Sequence, residues 1–146
     1  MSRYLTDEQK CREISHFARM RADKRPPGDL HGRGWPDAAI VPWCDRINAL
    51  EGVVTLQSCA GHAGDSTYPG NIWVCFAERP ARVAYLAAPV LAACPLIERV
   101  RCFWHPNGEE VWEILFHGSE RGQFEPSIKQ IFAWVVECCT ATLVQQ

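Results

Sequence analysis

Apolar positions along the chain change period several times, and each change marks an element. Ile14, Phe17 and Ala18 recur at helical spacing behind Thr6-Asp7-Glu8-Gln9, where Thr6 and Gln9 form a capping box; this predicts a helix over 6–22. Ile40, Trp43, Cys44, Ile47 and Leu50 recur in the same way and predict a second helix from Asp37 to Leu50. Pro42 is awkward there, because it removes a backbone donor one turn in. The pattern then tightens. Val53 to Ser58 is rich in β-branched residues and reads as a strand. Ile72 to Phe76 is apolar on both faces, which predicts a central strand. Pro80 suits the opening of a helix whose buried face is Val83, Leu86, Val90 and Leu91, with Pro89 expected to kink or end it. Ile97–Trp104 and Val111–His117 read as two further strands. The Asn107-Gly108 pair between them is a hairpin signal, since both residue types accept positive φ. Pro126 and Ser127 open a last helix with Ile128, Ile131, Phe132, Val135 and Cys139 as its buried stripe.

The predicted order is α-α-β-β-α-β-β-α, an α+β class with a mostly antiparallel sheet and helices packed on it. Strand-strand-helix occurs twice, a repeat of topology without clear sequence identity. The length of 146 residues predicts one domain over 1–146. Arg99 and Arg101 alternate with apolar residues and are expected to share an exposed sheet face with Glu113. Glu109 and Glu110 flank the hairpin turn and are expected to face solvent, while Trp104, His105 and His117 at strand ends are candidate pocket walls.

Charge and cysteine content narrow the function classes. A net charge of −2 excludes polyanion binding by the surface as a whole, so any nucleic-acid contact is local. The local candidate is the basic stretch from Arg19 to Trp35, where Arg21, Lys24, Arg25 and Arg33 suit phosphate oxygens; the plain alternative is a solvated connector. Eight cysteines without a C-x-x-C pair disfavour a zinc ribbon. The first residues lack an apolar leader segment and no apolar run reaches membrane-spanning length, so the expectation is a cytoplasmic chain with reduced thiols.

Chemistry concentrates at one turn, Gln57-Ser58-Cys59-Ala60-Gly61-His62, where a strand ends on a hydroxyl and a thiol and the chain turns on glycine to an imidazole. Three chemistries fit. Cys59 is a nucleophile activated by His62; or Cys59 and His62 begin a metal site completed by His105, His117 or Cys75; or the turn holds a ligand through backbone amides and polar side chains, with the loop to Gly70, including Asp65, as a lid. Packing at a strand end is the alternative to all three.

The residues Asp37, Ile40, Pro42, Ile47 and Asn48, followed by Val53, Thr55, Ser58, Cys59, Gly61 and His62, read D-x-x-I-x-P-x-x-x-x-I-N and V-x-T-x-x-S-C-x-G-H. This run resembles the family of the third enzyme of wybutosine synthesis, a tRNA-modifying methyltransferase family. Position 62 carries His where that family has Arg, and position 60 carries Ala where it has Ser. Ile72-Trp73-Val74 resembles the aromatic-apolar strand that follows the family's turn. The resemblance implies an S-adenosylmethionine-dependent protein acting on RNA or a nucleotide. It implies Cys59 and His62 as catalytic residues and a pocket of Asn48, Gln57, Ser58, Gly61, Asp65 and Trp73. Asn48 would hold the 58–62 turn open, while Asp37 would do likewise or cap its helix. The alternative is a non-catalytic phage or mobile-element protein that sequesters a nucleotide-type ligand or inhibits a host factor.

Overall fold

A computed structural model describes residues 3–22, 39–59, 70–116 and 124–141. Four helices, α1 (Asp7–Ala22), α2 (Val41–Asn48), α3 (Glu78–Ala92) and α4 (Phe124–Thr140), accompany four strands, β1 (Val53–Cys59), β2 (Gly70–Phe76), β3 (Ile97–Trp104) and β4 (Glu110–Phe116). The strands form one sheet in the order β1-β2-β4-β3, with every neighbouring pair antiparallel. The predicted α+β order is therefore the observed one. The twofold ββα repeat also holds: each repeat supplies one central strand, β2 or β4, and one edge strand.

The two sheet faces differ. Val53, Ile72, Val74, Phe76, Trp112, Ile114 and Phe116 point to one side, where α2, α3 and α4 bury them. Trp112 stacks edge-on with Trp134 of α4 at 5.8 Å, and Phe76 with Trp134 at 5.6 Å. The α4 stripe differs in detail from the expected one: Trp134 and Cys138 are buried, while Phe132 and Cys139 are only partly covered. On the other face, Leu5, Val54 and Cys75 make a small satellite cluster with Leu56 beside it. No further helix layer covers this face among the described residues, apart from α1 beside β1.

Local chemistry explains where the elements begin. The capping box at α1 is formed: the Thr6 N–H donates to Gln9 Oε1 at 2.9 Å and the Gln9 N–H to Thr6 Oγ1 at 3.2 Å. The expected apolar stripe of α1 is not a core face. No α1 residue is buried, and Ile14 is 38% exposed. Polar tethers hold the helix instead, with Lys10 Nζ donating to the Leu50 carbonyl and Arg21 pairing with Asp45 at 2.7 Å. Pro42 does not interrupt α2; it stands in the first turn, where a backbone donor has no helical partner. The reading of Asp37 falls outside the described residues. Pro89 does not end α3, which runs on to Ala92 without the N–H that would meet the Tyr85 carbonyl. The expected buried face of α3 is corrected too: Val83 and Leu91 are buried with Ala84 and Ala87, while Leu86 and Val90 are exposed.

Two corrections concern the β3–β4 turn. Only Gly108 takes positive φ, at 90°, and no described non-glycine residue does. The Gly108 N–H donates to the His105 carbonyl at 2.8 Å and the His105 N–H to that of Glu109 at 2.8 Å. This places Pro106 and Asn107 at the turn and leaves Gly108 as a bulge-type glycine. Glu110 does not face solvent. It is buried, because Arg3 of the N-terminal segment crosses the end of β4 and pairs with its carboxylate, while the Glu110 N–H donates to the Arg3 carbonyl at 2.9 Å. Arg3 also donates to the Tyr85 hydroxyl at 2.8 Å and stacks over Trp104 at 5.1 Å.

Gly70 lies where β2 and β4 approach, opposite Phe116 in the register. A Cβ there would stand 2.5 Å from the Phe116 ring, which is fully buried and has nowhere to move. Gly70→Ala is expected to destabilise the fold by about 1–3 kcal/mol, the usual cost of overpacking, read by denaturant unfolding.

Burial pushes the Cys75, Cys102 and Cys138 thiols and the Tyr85 hydroxyl up to about 12, and Cys139 up to about 11. An unfolded thiol titrates near ~8.5 and an unfolded Tyr near ~10, so the folded values lie above the unfolded ones. Their contribution to stability is then complete below the unfolded values and is lost as pH rises through the folded ones. Cys44 is raised by burial in the same way, and Lys10, lowered by burial, works in the opposite sense. The denaturation midpoint in reducing buffer is expected to be level just below about pH 8 and to fall between about pH 9 and 12.

Candidate functional site

The antiparallel register lines up one row of side chains across all four strands. Gln57 pairs with Trp73, Trp73 with Glu113, and Glu113 with Arg101. Side chains directly opposite in a sheet share a face, so these four stand together on the face opposite the helices. Val54, Val74 and Ser58 fix the alternation: Val74 and Ser58's partner Ile72 belong to the helix-covered core, and Val54 does not.

Glu113 organises the row. It is 6% exposed, yet it is satisfied by three donors. Trp73 Nε1–H donates to Oε2 at 2.8 Å; Arg101 Nε lies 2.6 Å and Arg99 Nη2 3.3 Å from Oε1. A buried carboxylate is tolerated only when paired in this way. The expected grouping of Arg99, Arg101 and Glu113 on one face is observed, with Glu113 buried beneath the arginines instead of beside them. Trp73 is further fixed by an edge-on contact with Phe103 at 5.1 Å and 78°, and Arg101 lies 5.1 Å from the Phe103 ring.

A groove of about 440 Å³ opens over this row. Leu56, Gln57 and Trp73 form its floor. The α1 helix supplies one wall with Arg12, Glu13, His16 and Arg19, and the β3–β4 turn supplies the other with His105, Asn107 and Glu109. Gln9 Nε2 donates to Glu109 Oε1 at 2.9 Å and so joins the two walls. The Asn107 N–H donates to His105 Nδ1 at 3.3 Å, leaving Nε2 of that imidazole for a partner. Arg12 and Arg19 make no ion pair among the described residues. A second, smaller space of about 30 Å³, between His16, Phe17 and Met20 and the backbone of 55–58, is the size of a water.

The structure places the other candidate residues apart. Gln57 and Trp73 meet on the open face, and the Gln57 amide reaches Asn71 at 3.5 Å. Ser58 falls on the helix side, where the Cys44 thiol, raised by burial, is partly eased by hydrogen bonds to Ser58 and Thr55. Asn48 Oδ1 accepts from the Thr55 N–H at 2.8 Å and from the Thr55 hydroxyl at 3.1 Å, which ties α2 to the middle of β1. Cys59 ends β1 opposite Asn71, as a strand-end residue should. Gly61, His62 and Asp65, and the basic Lys24, Arg25 and Arg33, lie outside the described residues. Arg21 is engaged with Asp45 of α2.

S-adenosylmethionine, the cofactor that the family resemblance implies, would be held by the 57–62 turn and Asn48. Of the residues named for it, Asn48 binds Thr55 through its carbonyl, Gln57 and Ser58 point to opposite faces, and residues 60–62 lie outside the described residues. Among the described residues no group of three or more His, Cys, Asp or Glu is placed to hold a metal; Cys75 is buried against Leu5 and Val54. No helix among them is long and apolar enough to cross a membrane.

Arg12 and His16 are not among the residues the sequence singles out, and Arg19 is there only as the start of the basic stretch. Their spacing of four and three residues puts them on one helical face, a signal open to helical periodicity. No family model, no curated protein and no solved structure matches the chain. Functional argument therefore rests on the geometry.

Asn48→Ala removes the side-chain acceptor of the Thr55 N–H on a buried strand. It is expected to lower stability by about 1–3 kcal/mol, measured by denaturant unfolding, with the far-UV spectrum retained.

Proposed function

We propose that this chain binds a nucleotide-type ligand, free or within RNA, in the groove on the open face of its sheet. The observation that carries the reading is Trp73, a half-buried indole in the floor of a groove whose walls mix arginine, histidine and glutamate, with its N–H already taken by Glu113. An indole fixed at its edge keeps its π-surface for a partner, and base–aromatic stacking is worth about 1–3 kcal/mol per base. The α1 arginines Arg12 and Arg19 line the same groove, and guanidinium groups hold phosphate oxygens in pairs. Gln57, opposite Trp73, offers an amide to the edge of a stacked base. Open sheet faces with aromatic side chains and flanking cations are a general solution for unpaired bases.

The methyl transfer implied by the sequence resemblance remains a separate activity to be assayed. Its chemistry would belong to Cys59, which ends β1, and His62. The binding reading does not depend on it.

Trp73→Leu is expected to weaken binding of nucleotides or short oligoribonucleotides by about tenfold or more, the equivalent of one lost stacking contact. Titration followed by tryptophan fluorescence and calorimetry checks it, with circular dichroism confirming that the sheet is intact. Unchanged affinity in the variant would remove the open face from the account.

A further inference from the structure

We propose that the outer edge of β3 and the outward face of α3 together take an extended peptide segment of another protein. The segment alternates apolar with acidic side chains and adds to the sheet as one more strand. This surface is separate from the groove over Trp73, and the inference does not rest on the nucleotide reading.

The helix supplies the apolar half of the surface. Tyr85, Leu86, Pro89 and Val90 are all exposed, Leu86 at 75% and Val90 at 77%. Residues three and four apart on a helix are neighbours, so these four form one outward stripe. A contiguous apolar stripe in water marks a docking surface. The stripe reaches β3 at Tyr85, whose hydroxyl lies 4.0 Å from Cys102 Sγ. Val100 and Cys102, partly buried against the helix-covered core, and Trp104, 62% exposed, carry the apolar surface on along the strand.

The strand supplies the backbone and the charge. β3 is the last strand of the described sheet, and its outer backbone groups pair with no strand among the described residues. Such an edge is a template for a further strand, whose main chain gives affinity and whose alternate side chains give specificity. The register sets the alternation. Val100 and Cys102 lie opposite Ile114 and Trp112 on the helix side, and Arg101 lies opposite Glu113 on the other, with Arg99 beside it. The two arginine side chains are 53% and 50% exposed and share the one carboxylate of Glu113, so the trio keeps a net positive charge. An added strand meets them with acidic side chains two residues apart, because directly opposite side chains interact. The residues between face Val100, Cys102 and α3, and are apolar. Glu98 bounds the site: it is the extra residue where the β3–β4 register shifts between Ile97 and Arg99, so the regular edge starts at Arg99.

A second copy of this chain fits the edge less well. Antiparallel pairing of β3 with itself about Arg99, Val100 or Arg101 sets arginine opposite arginine, and like charges directly opposite are destabilising.

The full chain is titrated by calorimetry with synthetic peptides that alternate valine with glutamate or valine with lysine. A third peptide is the valine–glutamate one N-methylated at each central residue, which removes its strand-pairing donors. Two variants are run in parallel, with circular dichroism to confirm the fold. One combines Leu86→Gln with Val90→Gln, both at exposed positions; the other is Arg99→Gln, which leaves Trp73 and Arg101 on Glu113. The valine–glutamate peptide is expected to bind and to slow amide hydrogen exchange within 99–104, with the valine–lysine peptide about tenfold weaker or worse. The α3 double variant is expected to lose about tenfold in affinity, and Arg99→Gln about two- to fivefold. No binding of the valine–glutamate peptide overturns the inference. Equal binding of the lysine or the N-methylated peptide, or protection that falls outside β3, does the same. So does a chain that sediments as a dimer and becomes monomeric in the α3 double variant, which makes a second copy the occupant. None of these results bears on nucleotide binding, which Trp73→Leu tests on its own.

Discussion

Glu113 is a carboxylate set in the middle of a sheet, and most of the open face follows from having to satisfy it. A charge with 6% exposure on a central strand must find donors from its neighbours. It draws the indole N–H of Trp73 from β2 on one side and the guanidinium groups of Arg99 and Arg101 from β3 on the other. Those three bonds cross-link three strands on the side that the helices do not cover. They also decide what that surface has to give: the indole is held by its N–H edge, and two arginines share one carboxylate and keep a net positive charge.

The helix-covered face has a different economy. There the aromatic ladder of Tyr85, Trp112, Trp134 and Phe76 joins the sheet to α3 and α4 through edge-on contacts between 5.2 and 5.8 Å. Phe76, Trp112 and Trp134 are buried while Tyr85 is partly exposed, and the Trp112 and Trp134 indole N–H groups have no partner among the described residues. The sheet is thus packed by dispersion on one side and pinned by a carboxylate on the other. Stability is drawn mainly from the first, and the groove is made from the second.

Sequence pattern was a good guide to elements and a poor one to faces. Strands 97–104 and 53–58, the capping box at Thr6 and the last helix follow directly from periodicity and end chemistry, because those signals are local. Pro42 shows how a local signal misleads when its position is off by a turn: it opens a helix that starts later than the apolar spacing suggests. Glu110 and the stripe of α1 show the other kind of miss. Whether a carboxylate beside a turn is solvated depends on whether Arg3, far away in sequence, crosses over it. Whether Ile14 and Ala18 are buried depends on how a tethered helix lies on an edge strand. Gln57 and Trp73 were legible as candidates, but their meeting depends on register, as does the role of Glu113, and no single-strand pattern contains it.

The Arg3–Glu110 pair spans 107 residues of chain. Leu5 is likewise bonded to Phe76, through its N–H to the carbonyl at 2.9 Å. The tethers of the first helix, to Asp45, Leu50 and β1, exist once the first half of the polypeptide is made, but Arg3 has no partner until β4 emerges. The crossing of Arg3 over the end of β4 is therefore among the last pieces of the native topology to settle.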